Sequence, residues 1–310
     1  MTLVGTRGSK LSLAQTNWVL SELKKENSGT EFEIKTITTK GDTDTRPLFT
    51  IDQKGIFEKE IDKAVAEKQI DFAVHSLKDV PSDISKSLTI ACIPKRASVN
   101  DVFITKNGSS LETIQSDSVI GTSSLRRAVQ ISRKRPDVKV KPVRGNIETR
   151  INKVIDGKFD AIVLAHAGIS RLDLDVKYSM LSTVDFPPSP GQGALAIVCR
   201  TNDSKTISML KKIEDKKSRA EIEAERALSE YVESGCRFPV GALAVANSSA
   251  LKLTVAAYSV DGKKSVILEK TGDVDKPKNL GRELGEELKK SGTAEIASNW
   301  RESLDKWNKK

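Results

Sequence analysis

TLVGTRGSKLSLAQTNWVLSELKK (residues 2–25) joins a short apolar strand to a helix through a glycine turn, and apolar residues recur at helical spacing after the turn. SVIGTSSLRRAVQISRKRP (residues 118–136) repeats this plan: a strand ends at Ile120, a Gly-Thr-Ser-Ser turn supplies the N-cap, and a helix runs until Pro136. We expect both turns to lie at the carboxyl ends of strands, where the free backbone N–H groups of a helix start bind anions.

Two further segments match each other in the same order along the chain. KQIDFAVHS (68–76) and GKFDAIVLAHA (157–167) each follow an amphipathic helix and have the composition of buried strands. Alternating strands and helices of this kind predict largely parallel sheets. The sequence therefore predicts two similar α/β lobes that face each other across a cleft, each with an anion-binding helix start.

The C-terminal part of the chain has a different pattern. KSRAEIEAERALSEYVESG (217–235) has the pattern of a charged helix, and ALKLTVAAYSVDGKKSVILEK (250–270) that of a β-hairpin around an Asp-Gly turn. KNLGRELGEELKKSG (278–292) predicts a further helix. Together they predict a small C-terminal α+β domain.

The composition of the 310-residue chain is that of a soluble multidomain protein, with 37% hydrophobic and 30% charged residues. No apolar run approaches the length of a membrane span. The N-terminal sequence MTLVGTRGSK lacks the layout of a signal peptide, so we expect a cytoplasmic protein. Three cysteines without a C-x-x-C pair, and only two histidines, argue against a disulfide framework and against a metal site.

The net charge of +9 is concentrated in one stretch, because nine basic and two acidic residues lie within 118–150. Such a local patch indicates an anionic partner. Arg126 and Arg127 stand in the first turn of a predicted helix, where cations oppose the macrodipole unless an anion binds there. The stretch has no aromatic residue on which bases stack, which argues against nucleic acid and favours a compact carboxylate or phosphate ligand. We interpret the other basic residues of this helix as a solvated face, namely Arg133, Lys134 and Arg135.

VHSLKDVPSD (74–83) places Lys78 and Asp79 at the predicted carboxyl end of a strand. Such a pair fits the edge of an active site, with Asp79 accepting a hydrogen bond from the substrate. It fits a surface turn with a weak ion pair equally well, so the pattern alone leaves both interpretations open. The two histidines, His75 and His166, we interpret as packed structural residues.

The three cysteines differ in their surroundings. Cys92 and Cys199 lie in apolar strands and are predicted to be small core residues. Cys236 in ESGCRFPVG (233–241) lies between a glycine and Arg237, which would lower the pKa of its thiol. Local context leaves open whether Cys236 is a reactive or modified thiol, or an inert one.

Seven stretches occur in the order found in one known family, and they span nearly the whole chain. They are GTRGSKLSLAQ (5–15), KGIFEKEI (54–61), DFAVHSLKDVP (71–81), GTSSLRR (121–127), RPDVKVKPVRGNIETR (135–150), GQGALAIVCR (191–200) and GCRFPVGA (235–242). On these motifs the chain resembles the porphobilinogen deaminases, or hydroxymethylbilane synthases, of heme and porphyrin biosynthesis. It departs from the family at Ala196 and Val198, where glycine and an acidic residue are frequent; this concerns strand packing.

The resemblance implies an α/β fold: two periplasmic-binding-protein-like lobes with mainly parallel sheets, plus a small C-terminal α+β domain that carries the cofactor cysteine. Since GQGALAIVCR resembles a strand that returns to the first lobe, we expect a discontinuous first domain. The implied domains are 1–95 with 190–212, then 96–189, then 213–310. The polar segment 41–55 is predicted to be a mobile lid over the cleft.

The resemblance also implies the activity and its residues. The family condenses four porphobilinogen molecules, each with loss of ammonia, onto a dipyrromethane cofactor held by a thioether bond, and water then releases hydroxymethylbilane. By motif, Cys236 attaches the cofactor and Asp79 is the catalytic carboxylate, stabilising the cationic pyrrole and managing protons. Cys236 would thus be a permanent anchor, which reduces the importance of Arg237. The predicted contacts to cofactor and substrate, which carry acetate and propionate groups, are Arg7, Ser9, Lys54, Phe57, Lys78, Thr122, Ser124, Arg126, Arg127, Arg144, Arg150, Arg171 and Gln192.

We therefore predict a monomeric cytoplasmic transferase whose partner is the small molecule porphobilinogen, with no nucleic acid, membrane or metal, and with product passing to the next enzyme of the pathway. We also consider two hypotheses from other functional classes. One is a non-catalytic small-anion-binding protein with the same two-lobed fold. The other is a nucleic-acid-binding module that uses the basic stretch.

Overall fold

A computed structural model describes residues 1–43, 58–231, 239–293 and 296. The first lobe is built on a five-stranded sheet. Its strands are β1 (Thr2–Thr6), β2 (Phe32–Thr36), β3 (Phe72–Ser76), β4 (Leu88–Cys92) and β10 (Leu195–Arg200), in the order β2-β1-β3-β10-β4. Its helices are α1 (Lys10–Glu26), α2 (Lys40–Thr43), α3 (Lys59–Ala66) and α7 (Ser204–Leu210).

The second lobe is built on a five-stranded sheet of the same design. Its strands are β5 (Asp101–Thr105), β6 (Val119–Gly121), β7 (Lys139–Lys141), β8 (Ala161–Ala165) and β9 (Tyr178–Met180), in the order β7-β6-β8-β5-β9. Its helices are α4 (Leu125–Lys134), α5 (Ile147–Ile155) and α6 (His166–Arg171). β1 and β6 occupy equivalent positions, as do β3 and β8, so the predicted duplication is confirmed.

Both sheets contain parallel pairs but are mixed. In the first lobe β1 is parallel to β2 and β3, whereas β10 is antiparallel to β3 and β4. In the second lobe β6 is parallel to β7 and β8, whereas β5 is antiparallel to β8 and β9. The antiparallel strands are those that arrive from the other lobe: β5 follows β4, and β10 follows β9. Two crossing segments, 93–100 and 181–194, therefore join the lobes.

The C-terminal unit is the predicted α+β domain. An antiparallel sheet of β11 (Val240–Ala246), β12 (Ala250–Tyr258) and β13 (Ser265–Asp273) packs against α8 (Lys216–Tyr231) and α9 (Pro277–Leu288). The β12–β13 hairpin turns at Gly262, whose φ of 72° lies in the left-handed region. β11 was not predicted from the sequence. The two helices approach closely at Gly281, where a Cβ atom would overlap the carbonyl of Ala224.

Each lobe buries apolar side chains on both faces of its sheet, as expected for central strands that are almost wholly apolar. In β10 the five residues from Leu195 to Cys199 are buried. This packing fixes the carboxyl ends of β1, β3 and β6, which carry the loops described next. Within the described residues, no helix is both long enough and apolar enough to cross a bilayer.

Candidate active site

The two glycine turns form the helix starts that the sequence predicts. Ser9 is the N-cap of α1, and its side chain accepts a hydrogen bond from the backbone N–H of Ser12 at 3.2 Å. Ser124 is the N-cap of α4, accepting from the N–H of Arg127 at 3.5 Å, and its own N–H donates to the Thr122 hydroxyl at 3.2 Å. The predicted contact residues Ser9, Thr122 and Ser124 are thus used first to shape the turns.

Asp79 lies at the end of a single 3₁₀ turn, Leu77–Asp79, that directly follows β3. The turn is held by Leu77, which is 2% exposed and whose N–H donates to the carbonyl of Ala194 at 3.1 Å. A pocket at the carboxyl ends of β1 and β3 contains both Asp79 and Arg7. The structure therefore brings together a predicted catalytic carboxylate and a predicted anion-binding cation. The pocket is lined by Arg7, Ser12, Gln15, Glu58, Val74, His75, Ser76 and Asp79.

Several polar residues of this pocket were not predicted as site residues. Gln15 is 3% exposed and donates from Nε2 to the Ser76 hydroxyl at 2.9 Å. His75 lies 3.1 Å from Asp62 through its Nε2 atom and is buried, which confirms its interpretation as a packed, hydrogen-bonded histidine. The signal that could have identified Gln15 is its position one helical turn after Ser12, on the face of α1 that meets β3.

Arg126 and Arg127 are buried in the second lobe and share one carboxylate. Asp101, at the start of β5, accepts from Arg126 Nη2 at 2.9 Å and from Arg127 Nη2 at 2.7 Å. Burial alone would raise the pKa of Asp101, but the two guanidinium groups outweigh it and hold that pKa well below its usual range. The anion expected at this helix start is therefore supplied in part by the chain itself. Asp101 was missed because nothing in the sequence links it to α4.

Gln192 belongs to the same buried network. Its Nε2 donates to Asp101 at 2.8 Å and to the carbonyl of Val99 at 2.7 Å, and its Oε1 accepts from Arg127 at 3.3 Å. Gln192 is 0% exposed and Arg126 4% exposed. Their predicted direct contacts to cofactor or substrate stay predictions. Their observed hydrogen bonds connect α4 and β5 with both crossing segments.

The remaining cations are crowded together. Burial, reinforced by the positive charges of Arg127 and Arg144, lowers the pKa of Arg150 to about 10. Burial likewise lowers the pKa of Lys78. The negative charge of Asp79 opposes this shift, and the positive charge of Arg127 adds to it. Because these groups repel one another, a ligand with several carboxylates would stabilise the cluster.

Arg171 lies at the end of α6 and binds a crossing segment. Its Nη2 donates to the carbonyl of Gly193 at 2.8 Å, and burial lowers its pKa to about 10. Gly193 has a φ of 85°, and a Cβ atom there would overlap the carbonyls of Ala97 and Ser98. The two crossing segments therefore pack backbone to backbone beside Arg171.

A second buried network, which the sequence did not reveal, ties both crossing segments to α8. Arg96 forms a bidentate pair with Glu225, at 2.7 and 3.0 Å, and its Nε donates to the carbonyl of Gln192 at 2.9 Å. Glu225 also accepts from the N–H groups of Gly191, at 2.7 Å, and Ala244, at 2.9 Å. All three parts of the fold meet at this carboxylate.

Three predicted site residues, Lys54, Phe57 and Cys236, lie outside the described residues, as do Arg237 and most of the predicted lid 41–55. The other two cysteines, Cys92 and Cys199, are buried and free. Burial raises the pKa of the Cys199 thiol to about 11 and also raises that of Cys92. Their interpretation as core residues is confirmed.

Comparison with known proteins gives matches over nearly the whole chain. A family model described as "Porphobilinogen deaminase, dipyromethane cofactor binding domain" matches residues 2–208, and one described as "Porphobilinogen deaminase, C-terminal domain" matches residues 219–290. A probable porphobilinogen deaminase of Nitrosopumilus maritimus is 68% identical over 307 residues, covering 99% of each chain. The porphobilinogen deaminase of Brevibacillus brevis is 41% identical over 296 residues, covering 94% of this chain and 95% of the relative.

Among solved structures, the second substrate-binding domain of a putative amino acid ABC transporter from Streptococcus pneumoniae is similar with a TM-score of 0.42 and 14% identity. That similarity covers 68% of this chain and 91% of the transporter domain.

Proposed function

The chain belongs to the porphobilinogen deaminase (hydroxymethylbilane synthase) family, the transferases with a dipyrromethane cofactor-binding domain, and from this premise we propose that Asp79 is the catalytic carboxylate and Cys236 the cofactor attachment site. The observation that carries the proposal for Asp79 is its place in one pocket with Arg7, at the carboxyl ends of two parallel strands. Family membership gives no support to the alternative of a non-catalytic binder of small anions.

Asp79 is suited to stabilising positive charge. When ammonia leaves porphobilinogen, the pyrrole ring becomes cationic, and a fixed carboxylate beside the ring stabilises that charge more than it stabilises the neutral substrate. The same carboxylate can accept a hydrogen bond from the pyrrole N–H and carry a proton between steps. Its position at the end of a turn anchored by Leu77 holds it in place for every addition.

The basic residues fit a cofactor and substrate that carry acetate and propionate groups. Arg7, Lys78 and Arg150 offer charge-assisted hydrogen bonds to carboxylates, and the arginines can bind them in the bidentate manner. Burial and the neighbouring charges of Arg127 and Arg144 lower the pKa of Arg150, and bound carboxylates would offset both effects. The bound dipyrromethane supplies the pyrrole on which the product chain is assembled. We propose the same contact role for the other predicted residues, namely Ser9, Lys54, Phe57, Thr122, Ser124, Arg126, Arg127, Arg144, Arg171 and Gln192.

We also propose the finer organisation of the protein. The division into 1–95 with 190–212, 96–189 and 213–310 is supported by the insertion of β10 into the first sheet and by the separate family match at 219–290. Free buried thiols at Cys92 and Cys199 are consistent with the reducing cytoplasm. We propose a monomer that takes up four porphobilinogen molecules in turn, releases hydroxymethylbilane by hydrolysis and passes it to the next enzyme of the pathway.

Ammonia release from porphobilinogen by purified Asp79→Asn tests the catalytic proposal. The variant keeps the shape of the side chain and loses its charge, so we expect turnover to fall by about a hundredfold to a thousandfold, as for loss of a central electrostatic group. Unchanged thermal unfolding would show that the fold is intact. Ammonia release within about tenfold of the wild type would contradict the role of Asp79.

A further inference from the structure

Arg226 of α8 holds the backbone that immediately follows Asp79. Its Nη1 donates to the carbonyl of Val80 at 3.1 Å, and its Nη2 donates to the carbonyls of Pro81 at 2.7 Å and Ser82 at 3.2 Å. One guanidinium therefore binds three consecutive carbonyls of the first lobe from a helix of the C-terminal domain. Burial lowers the pKa of Arg226, so removing this cation from water has a cost that the three carbonyls offset.

The front of the same turn is anchored differently. Leu77 and Val80 are buried in the core of the first lobe, and the N–H of Leu77 donates to Ala194 in the segment that leads into β10. The residues beyond Val80 leave the core, since Ser82 and Asp83 are exposed. Arg226 fixes the chain where it leaves the core, so Asp79 is held between an apolar anchor and a charged one.

The same helix also holds the opposite side of the turn. Glu225, the neighbour of Arg226, accepts from the N–H of Gly191 at 2.7 Å. Gly191 packs against the turn so closely that a Cβ atom there would lie 3.2 Å from the backbone nitrogen of Lys78. Two adjacent residues of α8 thus bind both segments that flank the Lys78–Asp79 turn. Cys236 follows α8 in the sequence.

We propose that Arg226 is a positioning residue for Asp79, through which the domain that carries Cys236 sets the position of the catalytic carboxylate. The inference rests on the proposed role of Asp79 and adds to it. Arg226 does not contact the pocket in the described structure, so its effect on the reaction passes through the backbone of residues 80–82.

The test uses the cofactor-loaded enzyme, with loading verified by intact mass, and compares Arg226→Gln with Arg226→Lys. Glutamine cannot span the three carbonyls, so we expect kcat to fall by about tenfold to a hundredfold, as for a small misplacement of a catalytic group, with KM nearly unchanged. Amide hydrogen exchange in residues 77–84 should rise by at least about tenfold, because a local anchor is lost. Lysine keeps the charge, and we expect it to restore part of both losses.

Arg219→Gln is the matched control. Arg219 lies on the same helix and donates to the carbonyl of Ile90 at 3.2 Å, away from the Asp79 turn. We expect this variant to leave both kcat and hydrogen exchange in residues 77–84 close to wild-type values. Equal effects of the two glutamine variants would overturn the inference, because they would indicate only general docking of α8.

A double variant shows whether Arg226 acts through Asp79. In an Asp79→Glu background, where the carboxylate is already displaced, Arg226→Gln should lower kcat by less than about threefold, whereas independent roles predict the full single-variant loss. If Arg226→Gln accelerates exchange but leaves kcat unchanged while Asp79→Asn is inactive, the inference fails and the proposed function stands. If Asp79→Asn is fully active, the proposed function fails, and the inference fails with it.

Discussion

The carboxylate of Asp101 lies 2.7 Å from the guanidinium of Arg127 and 2.9 Å from that of Arg126, inside the second lobe. The two arginines in the first turn of α4 thus share a carboxylate from β5. Because one carboxylate compensates two cations, the group formed by Asp101, Arg126 and Arg127 keeps a surplus of positive charge. The surplus suits a polycarboxylate ligand, while the carboxylate offsets part of the repulsion between the two arginines.

Removing Asp101 should destabilise the fold strongly. Asp101→Ala leaves two buried guanidinium groups without their shared partner, and we expect the free energy of unfolding to fall by about 3–5 kcal/mol. Asp185→Ala breaks the exposed pair with Lys134 and is the control, with an expected loss below about 1 kcal/mol. Urea unfolding measures both. A loss below about 1 kcal/mol for Asp101→Ala would contradict the buried network as described.

The same carboxylate predicts a pH dependence with a definite sign. The pKa of Asp101 is lower in the folded protein than in the unfolded chain, so its contribution to stability is present above the unfolded pKa and is lost as the pH falls through the folded pKa. We expect the stability of the wild type to begin to decline below about pH 4. Asp101→Asn should lose this component, so its stability should depend less on pH in that range. A parallel decline in both proteins would assign the acid transition to other carboxylates.

Lys10 and Glu148 form an ion pair between the first turns of α1 and α5, at 2.7 Å, with the lysine side chain 73% exposed. Solvent weakens such a pair, and a double-mutant cycle of Lys10→Ala and Glu148→Ala should give a coupling free energy of about 0.2–1 kcal/mol. The coupling should shrink in 1 M salt, where the Debye length is about 3 Å. A coupling above about 2 kcal/mol, or one insensitive to salt, would show that the pair is more shielded than its exposure indicates.

The two core cysteines should be unreactive in the native enzyme. Burial raises the pKa of the Cys199 thiol to about 11, so only about one part in a thousand is thiolate at pH 8, and access is blocked as well. We expect iodoacetamide to modify Cys92 and Cys199 only after unfolding, as measured by peptide mass mapping. Modification of either residue in the folded protein within minutes would contradict their burial.

The sequence predicts the repeated architecture well, because hydrophobic periodicity and turn chemistry are local. The pairs GTRGS and GTSS, and the strands ending at Ser76 and Ala165, identified the two lobes and their helix starts. It predicts the buried networks poorly. The partners are far apart in the chain. Asp101 meets Arg126 only because β5 enters the second sheet, and Arg96 meets Glu225 only because α8 packs against the crossing segments.

The candidate site follows the same division. Motif resemblance supplied Asp79 and the arginines, and the structure places Asp79 and Arg7 in one pocket. The motifs do not distinguish cations that contact a ligand from Arg126, which is buried and hydrogen-bonded within the fold. They also do not identify Arg226, because its partners are backbone carbonyls, which every residue type carries.

The intact mass of the purified protein reports whether this chain builds a tetrapyrrole on a cofactor attached to Cys236. We predict a wild-type mass increased by an adduct of dipyrromethane size, further species heavier by successive pyrrole units on addition of porphobilinogen, and no adduct in Cys236→Ser. A wild-type protein of unmodified mass that releases no ammonia from porphobilinogen would show that the chain neither carries this cofactor nor catalyses the condensation.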